Sequence, residues 1–438
     1  MPLTSIRLQN FKCFADSGEI PLAPLTVIFG RNNTGKSSIL RSLLLLRQTL
    51  DSPGPGQQLN LSDRHFQGGA YQDIVHQHKI ANDVTLHFSL NVPNDSRVRH
   101  VEIEFGSKRQ SPPRLNRLKV GGPGSAQPLE FRRGKGAGGP FELWIEGKKI
   151  GLERRGGFAF GANLFFPIIG SAPPRVGRPN EANARSRKFG EGALTELQKI
   201  IQGVRAIGAF RQQPKRQYEF QGHSSQALDL AGQSVVDALI EDSTRRGKRR
   251  NSLLPSVNQW LRRIGRVRVQ PLRQISRTRR IFEVRLKDTD SGRWANFADV
   301  GFGIGQALPV IVEGLRAEPG TTLLIEEPEI HLHPDAQLAM GDFLADLARS
   351  GKQVLVETHS ENLLLRLRRL IVGGRRGGRN RRLDPSDVSI IYVDKDREGE
   401  SHATRLSIDD LGQIKGWPEG FMEEATEERL QLLKSMSS

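Results

Sequence analysis

Nine residues constrain this chain more than any others. GRNNTGKSS, Gly30 to Ser38, follows the apolar run LTVIF (Leu25–Phe29) and precedes a segment with helical spacing through Ile39, Leu40, Leu43, Leu44 and Leu46. A short continuous apolar run marks a strand buried on both faces, so the loop is expected between a core parallel strand and a helix running from Lys36 to about Leu50. In that setting the G-x-x-x-x-G-K-[ST] spacing has a definite physical sense. Gly30 and Gly35 let the backbone curl, and Asn32, Asn33, Thr34 and Ser38 complete a cradle of N–H groups reinforced by the helix N-terminus. Lys36 is expected to reach the β and γ phosphates of ATP, and Ser37 to offer its hydroxyl to magnesium.

Two further apolar runs end in polar residues: TTLLIEE (Thr321–Glu327) and KQVLVETHS (Lys352–Ser360). Between them Pro334–Arg349 has helical spacing, so the three segments predict a βα unit of a parallel sheet, whose ligands gather at the carboxyl ends of the strands. LLIEEPEIHLHP then aims two carboxylates at the phosphates, with Glu326 on the magnesium side and Glu327 placed to accept a proton from the attacking water. His359, ending the next strand, is expected to donate to the γ phosphate. Glu329, His331 and His333 lie close by, but an H-x-H pair alone is weak evidence for zinc, and a loop at a dimer contact is the preferred reading. DVGFGIGQALPVIVEGL (Asp299–Leu315) reads as a glycine-rich turn running into a helix. Gly303, Gly305 and Gln306 are its expected donors to a γ phosphate.

The remainder is less regular. Residues 106–188 are rich in Gly, Pro and Arg, with brief strand-like pieces such as FELWIEG, and read as an insertion. Helical stretches are expected over Gly192–Gln202 and Ser234–Ile264, then a strand over Ile281–Asp288. The resulting division is 1–105 (phosphate-loop part), 106–265 (insertion and helical region), 266–383 (acidic and histidine motifs) and 384–438 (C-terminal module). No long heptad array is present.

Lys and Arg outnumber Asp and Glu by 65 to 48, a formal charge of +17. The basic residues cluster in Arg245–Arg285 and Arg366–Leu383, which points to a polyanionic partner, nucleic acid first. A single cysteine, Cys13, excludes an internal disulfide or a cysteine-based zinc cage and fits a reducing cytoplasm. No run approaches the roughly 18 apolar residues of a membrane span, and the first ten residues hold no signal-peptide core. A cytoplasmic protein without membrane contact is expected. YVDKDREGE carries Asp394 and Asp396 in the spacing of a topoisomerase–primase metal pair, but the upstream Glu357 belongs to the phosphate-loop sheet and only 79 residues follow His359. A turn between two strands is the expectation there.

Together the phosphate loop, GFGIGQ, LLIEEPEIHLHP and ETHSENLLLR resemble the ABC-type ATPases of the OLD (overcoming lysogenisation defect) group, particularly members lacking a nuclease domain. IGAFRQQPKRQY (Ile207–Tyr218), with Arg211, is similar to a family segment, and GQIKGWPEGFMEE (Gly412–Glu424) resembles the family's C-terminal module. The resemblance covers residues 1–105 and roughly 205–438. It implies an α/β fold, an ABC/SMC-type P-loop ATPase head with a mixed sheet, central parallel strands and an inserted Gly/Arg-rich subdomain. It also implies ATP and magnesium as cofactors, and a head-to-tail dimer or higher oligomer in which the GFGIGQ donors serve the partner's nucleotide. The implied role is a nucleotide-gated switch controlling a separate effector, a nuclease in anti-phage defence; a RecF-like, ATP-dependent DNA clamp is the alternative. In two places the chain departs from the pattern. Gly305 stands where the family usually has Ser, and the magnesium-side glutamine falls on Gln72 in GAYQDIVHQH (Gly69–His78) only by position.

Overall fold

Alternation along Leu25–Phe29 builds two cores at once: Leu25, Val27 and Phe29 pack into one apolar cluster and Ile28 into the other, all of them buried. The sheet containing this strand is therefore covered on both faces, which is why the run reads as continuously apolar. The computed structural model describes residues 3–418 except 52–57, 63–65, 92–97, 108–111, 122–127, 135–140, 146, 151–158, 161–166, 169–192, 223–228, 245–251, 277 and 374–382, together with residues 431 and 435.

The strand order of this sheet is Arg205–Ile207, Thr322–Glu326, Gln353–Glu357, Leu25–Phe29, Val388–Lys395, Ser401–Ile408 and Ile414–Lys415. The first five pair in parallel and the last two join antiparallel, giving the expected mixed sheet with central parallel strands. Helices number in chain order: α1 (Lys36–Asp51), α2 (residues 193–202), α3 (Ser234–Thr244), α4 (Leu254–Gly265), α5 (Phe302–Arg316), α6 (Pro334–Arg349) and α7 (Glu361–Gly373). The buried sides of α1 and α2 share the first cluster with Ile28, and those of α3 to α7 share the second with Val27. No helix among the described residues is long and apolar enough to cross a membrane.

A second, nine-stranded antiparallel sheet closes over α1. It extends past the expected boundary at 105/106. Val98–Gly106 pairs along its length with Arg114–Gly121, and Leu115, Leu118, Val120, Leu129 and Phe131 are buried in the same cluster as Leu3 and Ile6. The boundary expected at 105/106 thus falls within the strand Val98–Gly106, and Arg114–Gly121 and Leu129–Arg133 continue the N-terminal sheet. Strand alternation is present there (LNRLKV, LEFRR), but Gly- and Arg-rich connections dilute it.

The boundary expected at 383/384 likewise cuts through a sheet. Val388–Lys395 lies in register with Leu25–Phe29, and the Trp417 ring stacks on Phe29 with centroids 5.4 Å apart. Residues 388–417 complete the phosphate-loop sheet. Within them Asp394 and Asp396 flank the expected hairpin turn. Asp394 accepts from the Tyr392 hydroxyl at 2.8 Å, and Asp396 accepts from the Glu398 and Glu400 amides at 3.0 and 2.9 Å.

The strand expected over Ile281–Asp288 is two, broken at Val284 and shared between two small sheets. The basic cluster Arg375, Arg376, Arg379, Arg381 and Arg382 lies outside the described residues.

Candidate functional site

The phosphate loop sits where the apolar strand ends. Gly30 has φ 148°, and a Cβ there would lie 2.0 Å from the Val393 carbonyl oxygen; Gly35 has φ 104°, and a Cβ would lie 2.1 Å from the Cys13 sulfur. Both positions need glycine, for close approach and for backbone shape. The loop is pressed between the sheet, at Val393, and the first strand pair, at Cys13. Inside it the Lys36 ammonium donates to the Arg31 carbonyl at 2.7 Å. Burial pushes the Lys36 pKa down, opposed by the charges of Glu357 and Glu327.

Strand parity explains which acids face this loop. Leu324 and Leu355 pack into the cluster on the α1 side, so Glu326 and Glu357, two residues further along their strands, lie on that same face as register partners. Gln353–Glu357 is the strand adjacent to the phosphate-loop strand, and Thr322–Glu326 is one strand further away. The side chains follow that order. Ser37 donates its hydroxyl hydrogen to Glu357 Oε1 at 2.8 Å. Glu326 leans outward, its Oε2 accepting from the Ala209 amide at 3.3 Å and its Oε1 standing 3.8 Å from Arg41 Nε.

Glu357 is 5% exposed, and its pKa is pushed up to about 7, first by burial and then by the charges of Glu326 and Glu327, against the Ser37 hydrogen bond and Lys36. Its second oxygen, Oε2, is buried without a hydrogen-bond partner. Among the described residues no three His, Cys, Asp or Glu side chains close into a metal cage. One hydroxyl beside paired carboxylates instead suits magnesium, a hard cation that keeps water and phosphate oxygens among its ligands. The residues fit that cation.

Glu327 occupies the left-handed region at φ 43°, and its amide donates to the Glu357 carbonyl at 2.8 Å. A non-glycine residue there is uncommon and marks an over-determined turn. It brings the Glu327 charge within reach of both Lys36 and His359. His359 is exposed at the mouth of the site. Partial desolvation and then Lys36 depress its pKa, against Glu327, so a neutral imidazole is favoured. Its backbone is anchored by Glu329, whose Oε1 accepts from the Thr358 hydroxyl at 2.6 Å and from the His359 amide at 2.8 Å.

The GFGIGQ segment differs from expectation. Helix α5 begins at Phe302 with Gly301 as N-cap, so Gly303, Gly305 and Gln306 belong to its first turns and not to a preceding loop. Gly305 is buried, and a Cβ there would lie 2.9 Å from Pro214 Cγ; Gln306 is 2% exposed and its carbonyl accepts from Arg211 at 3.2 Å. Residues 211–214 therefore cover the second turn. The Gly305 Cα and the Gln306 side chain are thus covered within the chain. What stays open is Gly301, Phe302 (45% exposed) and the edge of Gly303, beside the Phe302–His331 ring pair at 4.7 Å.

Arg211 was legible only as part of a similar segment. It is 6% exposed, and besides Gln306 it donates to the carbonyls of Glu326 and Glu327 at 2.6 and 3.1 Å. Burial lowers its pKa to about 10, against the nearby charges of Glu329, Glu326 and Glu327, so it remains a cation at neutral pH. One guanidinium thus ties the acidic strand end to the start of α5. Gln72 is not brought to the phosphate loop by any hydrogen bond. It is exposed, lines a cleft with Leu59, Leu61 and Tyr71, and accepts from His78 through its carbonyl at 2.7 Å. His76 is the inward member of that segment, with Nδ1 3.0 Å from the Lys12 carbonyl and Nε2 2.9 Å from Glu400 Oε2.

The AAA ATPase domain model matches residues 1–95 and 245–364, the two segments carrying the phosphate loop and the acidic and histidine strands. Residues 383–432 match a protein family of unknown function, DUF3696. The chain is 27% identical over 370 residues to the OLD nuclease of Thermus scotoductus, an alignment covering 82% of the chain and 59% of that protein. It therefore spans little more than half the length of that relative. Solved structures that superpose on it include the SMC head domain from Thermotoga maritima (11% identity, TM-score 0.41, covering 93% of this chain and 100% of that one). Another is the Pyrococcus furiosus Smc head with an extended coiled coil (10% identity, TM-score 0.45, covering 100% of each chain). Two segments of the chain are thus similar to the AAA ATPase domain around one phosphate loop, and the chain is similar in sequence to an OLD nuclease.

Proposed function

We propose that the chain binds and hydrolyses ATP with magnesium, and that it works as a head-to-tail dimer whose nucleotide state controls a separate effector, a nuclease in anti-phage defence. The observation that carries the ATPase reading is the meeting of Lys36, Ser37, Glu326, Glu327, Glu357 and His359 at one edge of a parallel sheet, from segments some three hundred residues apart. The loop amides and Lys36 would hold the β and γ phosphates, and Glu327 would take the proton from the attacking water. Ser37, with the paired acids, would hold magnesium, which neutralises phosphate charge. Neutral His359 can donate to the γ phosphate and so report whether it is present.

The effector reading rests on likeness to a relative named OLD nuclease. The dimer reading rests on the open start of α5, where Gly301 makes no side-chain cap and Phe302 is 45% exposed. Phosphate release by the purified chain, and its mass in solution with and without ATP, test the two separately. Absence of hydrolysis would refute the first, and a mass indifferent to ATP the second.

The net charge of +17 favours a second reading, an ATP-dependent DNA clamp. Salt titration of DNA binding distinguishes them. A clamp should bind DNA only with ATP, and reversing charge at Arg375, Arg376, Arg379, Arg381 and Arg382 should flatten the salt slope, since fewer counterions would be released.

A further inference from the structure

The acidic strand end was expected to supply the magnesium-side carboxylate from Glu326, yet the acid that touches the magnesium hydroxyl is Glu357. Four observations bear on this. Ser37 Oγ is hydrogen-bonded to Glu357 Oε1 at 2.8 Å. The other oxygen, Oε2, is buried and unpartnered. Glu326 is engaged elsewhere, by the Ala209 amide and near Arg41. Finally, the strand order puts Glu357 beside the phosphate-loop strand and Glu326 one strand beyond it.

A buried carboxylate oxygen without a partner is costly unless something else occupies its lone pairs. Lys36 does not do so, because its ammonium donates to Arg31. A divalent cation next to Ser37 would satisfy Oε2 at its present position, because Ser37 and Glu357 are already in contact. The geometry points to Glu357 as a ligand, direct or through one water, of the magnesium that Ser37 holds, with Glu326 as its outer neighbour. This rests on the ATP-binding reading above and deepens it.

Manganese substitutes for magnesium and is visible by electron paramagnetic resonance, so the test uses Mn2+ and ATP with the full chain. Wild type should bind ATP at least tenfold more tightly with Mn2+ than in EDTA. Glu357→Gln keeps the shape and an acceptor for Ser37, and should lose that gain while its affinity in EDTA stays within about twofold. Glu326→Gln should lose less of the gain than Glu357→Gln. The protein-bound Mn2+ spectrum should change in Glu357→Gln, a readout that a purely structural role would not move. Glu357→Asp, which restores the charge on a shorter arm, should recover part of it. A Glu357→Gln variant with the full Mn2+ gain and an unaltered spectrum would overturn the assignment, as would complete loss in Glu326→Gln alone. A wild-type chain that binds no ATP under either condition would instead refute the ATP-binding reading, and the metal assignment with it.

Discussion

The phosphate loop and the start of α5 both carry glycine-rich motifs, yet they relate to the fold in opposite ways. At Gly30–Ser38 the glycines are forced by close approach, Gly30 to the Val393 carbonyl and Gly35 to Cys13, and the loop's functional groups turn inward to Glu357. At Gly301–Gln306 the same residue type sits on a helix whose second turn is covered by Pro214 and Arg211, leaving only its first residues open. The difference shows that a motif's spacing specifies local backbone shape, while which of its atoms remain accessible is decided by whatever packs against it.

Changes in the enclosed region should be felt most. Lys36→Ala should weaken ATP binding at least about 100-fold, about 2.7 kcal/mol, by removing the charge on the β and γ phosphates. Calorimetric titration measures it, and unchanged affinity would place the nucleotide elsewhere. Glu327→Gln should slow hydrolysis about 100-fold or more while leaving ATP affinity nearly intact, because the amide keeps the shape but takes no proton. Parallel loss of binding would make Glu327 a structural residue.

Glycine substitutions at α5 sharpen the contrast. Gly305→Asp should cost roughly 1–3 kcal/mol of stability, since its Cβ would press on Pro214, and the loss should appear in thermal melts with or without nucleotide. Gly301 meets nothing within 4 Å of a Cβ, and an Asp there would also cap α5. Gly301→Asp in the Glu327→Gln background should therefore melt no lower than its parent, yet fail to form the ATP-dependent dimer by light scattering. A dimer that tolerates Gly301→Asp would assign this surface another role.

The smallest effect concerns Glu329, which burial holds above the usual carboxylate pKa of 4.5. A raised folded-state pKa contributes stability that is fully present below 4.5 and lost as pH rises through the folded value. The wild type should thus lose stability relative to Glu329→Gln as pH is raised from 5 to 8. A constant melting difference across that range would mean that Glu329 does not titrate there.

Much of this architecture is legible from local pattern. Leu25–Phe29 and Pro334–Arg349 lie where their apolar spacing puts them, and the loop between strand and helix follows from its own glycines, because each depends on neighbours within a few residues. The antiparallel strands Arg114–Gly121 and Leu129–Arg133 were obscured because Gly- and Arg-rich links outweigh a short period-two signal. Gln72 poses a different problem. Its segment was aligned by position alone, and which side chain of GAYQDIVHQH turns inward depends on the bridge between Phe11 and Val75, which brings His76 to the Lys12 carbonyl.

By itself the sequence determined the phosphate loop, the parallel sheet and the identity of the acids at its carboxyl edge, all of which follow from short-range sterics and apolar periodicity. Only the tertiary structure decided that Glu357 meets Ser37, that Arg211 joins the acidic strand to α5, and that Gly305 and Gln306 are covered. These depend on strand order and on contacts between residues far apart in the chain, and neither strand order nor a distant packing partner leaves a local periodic signature.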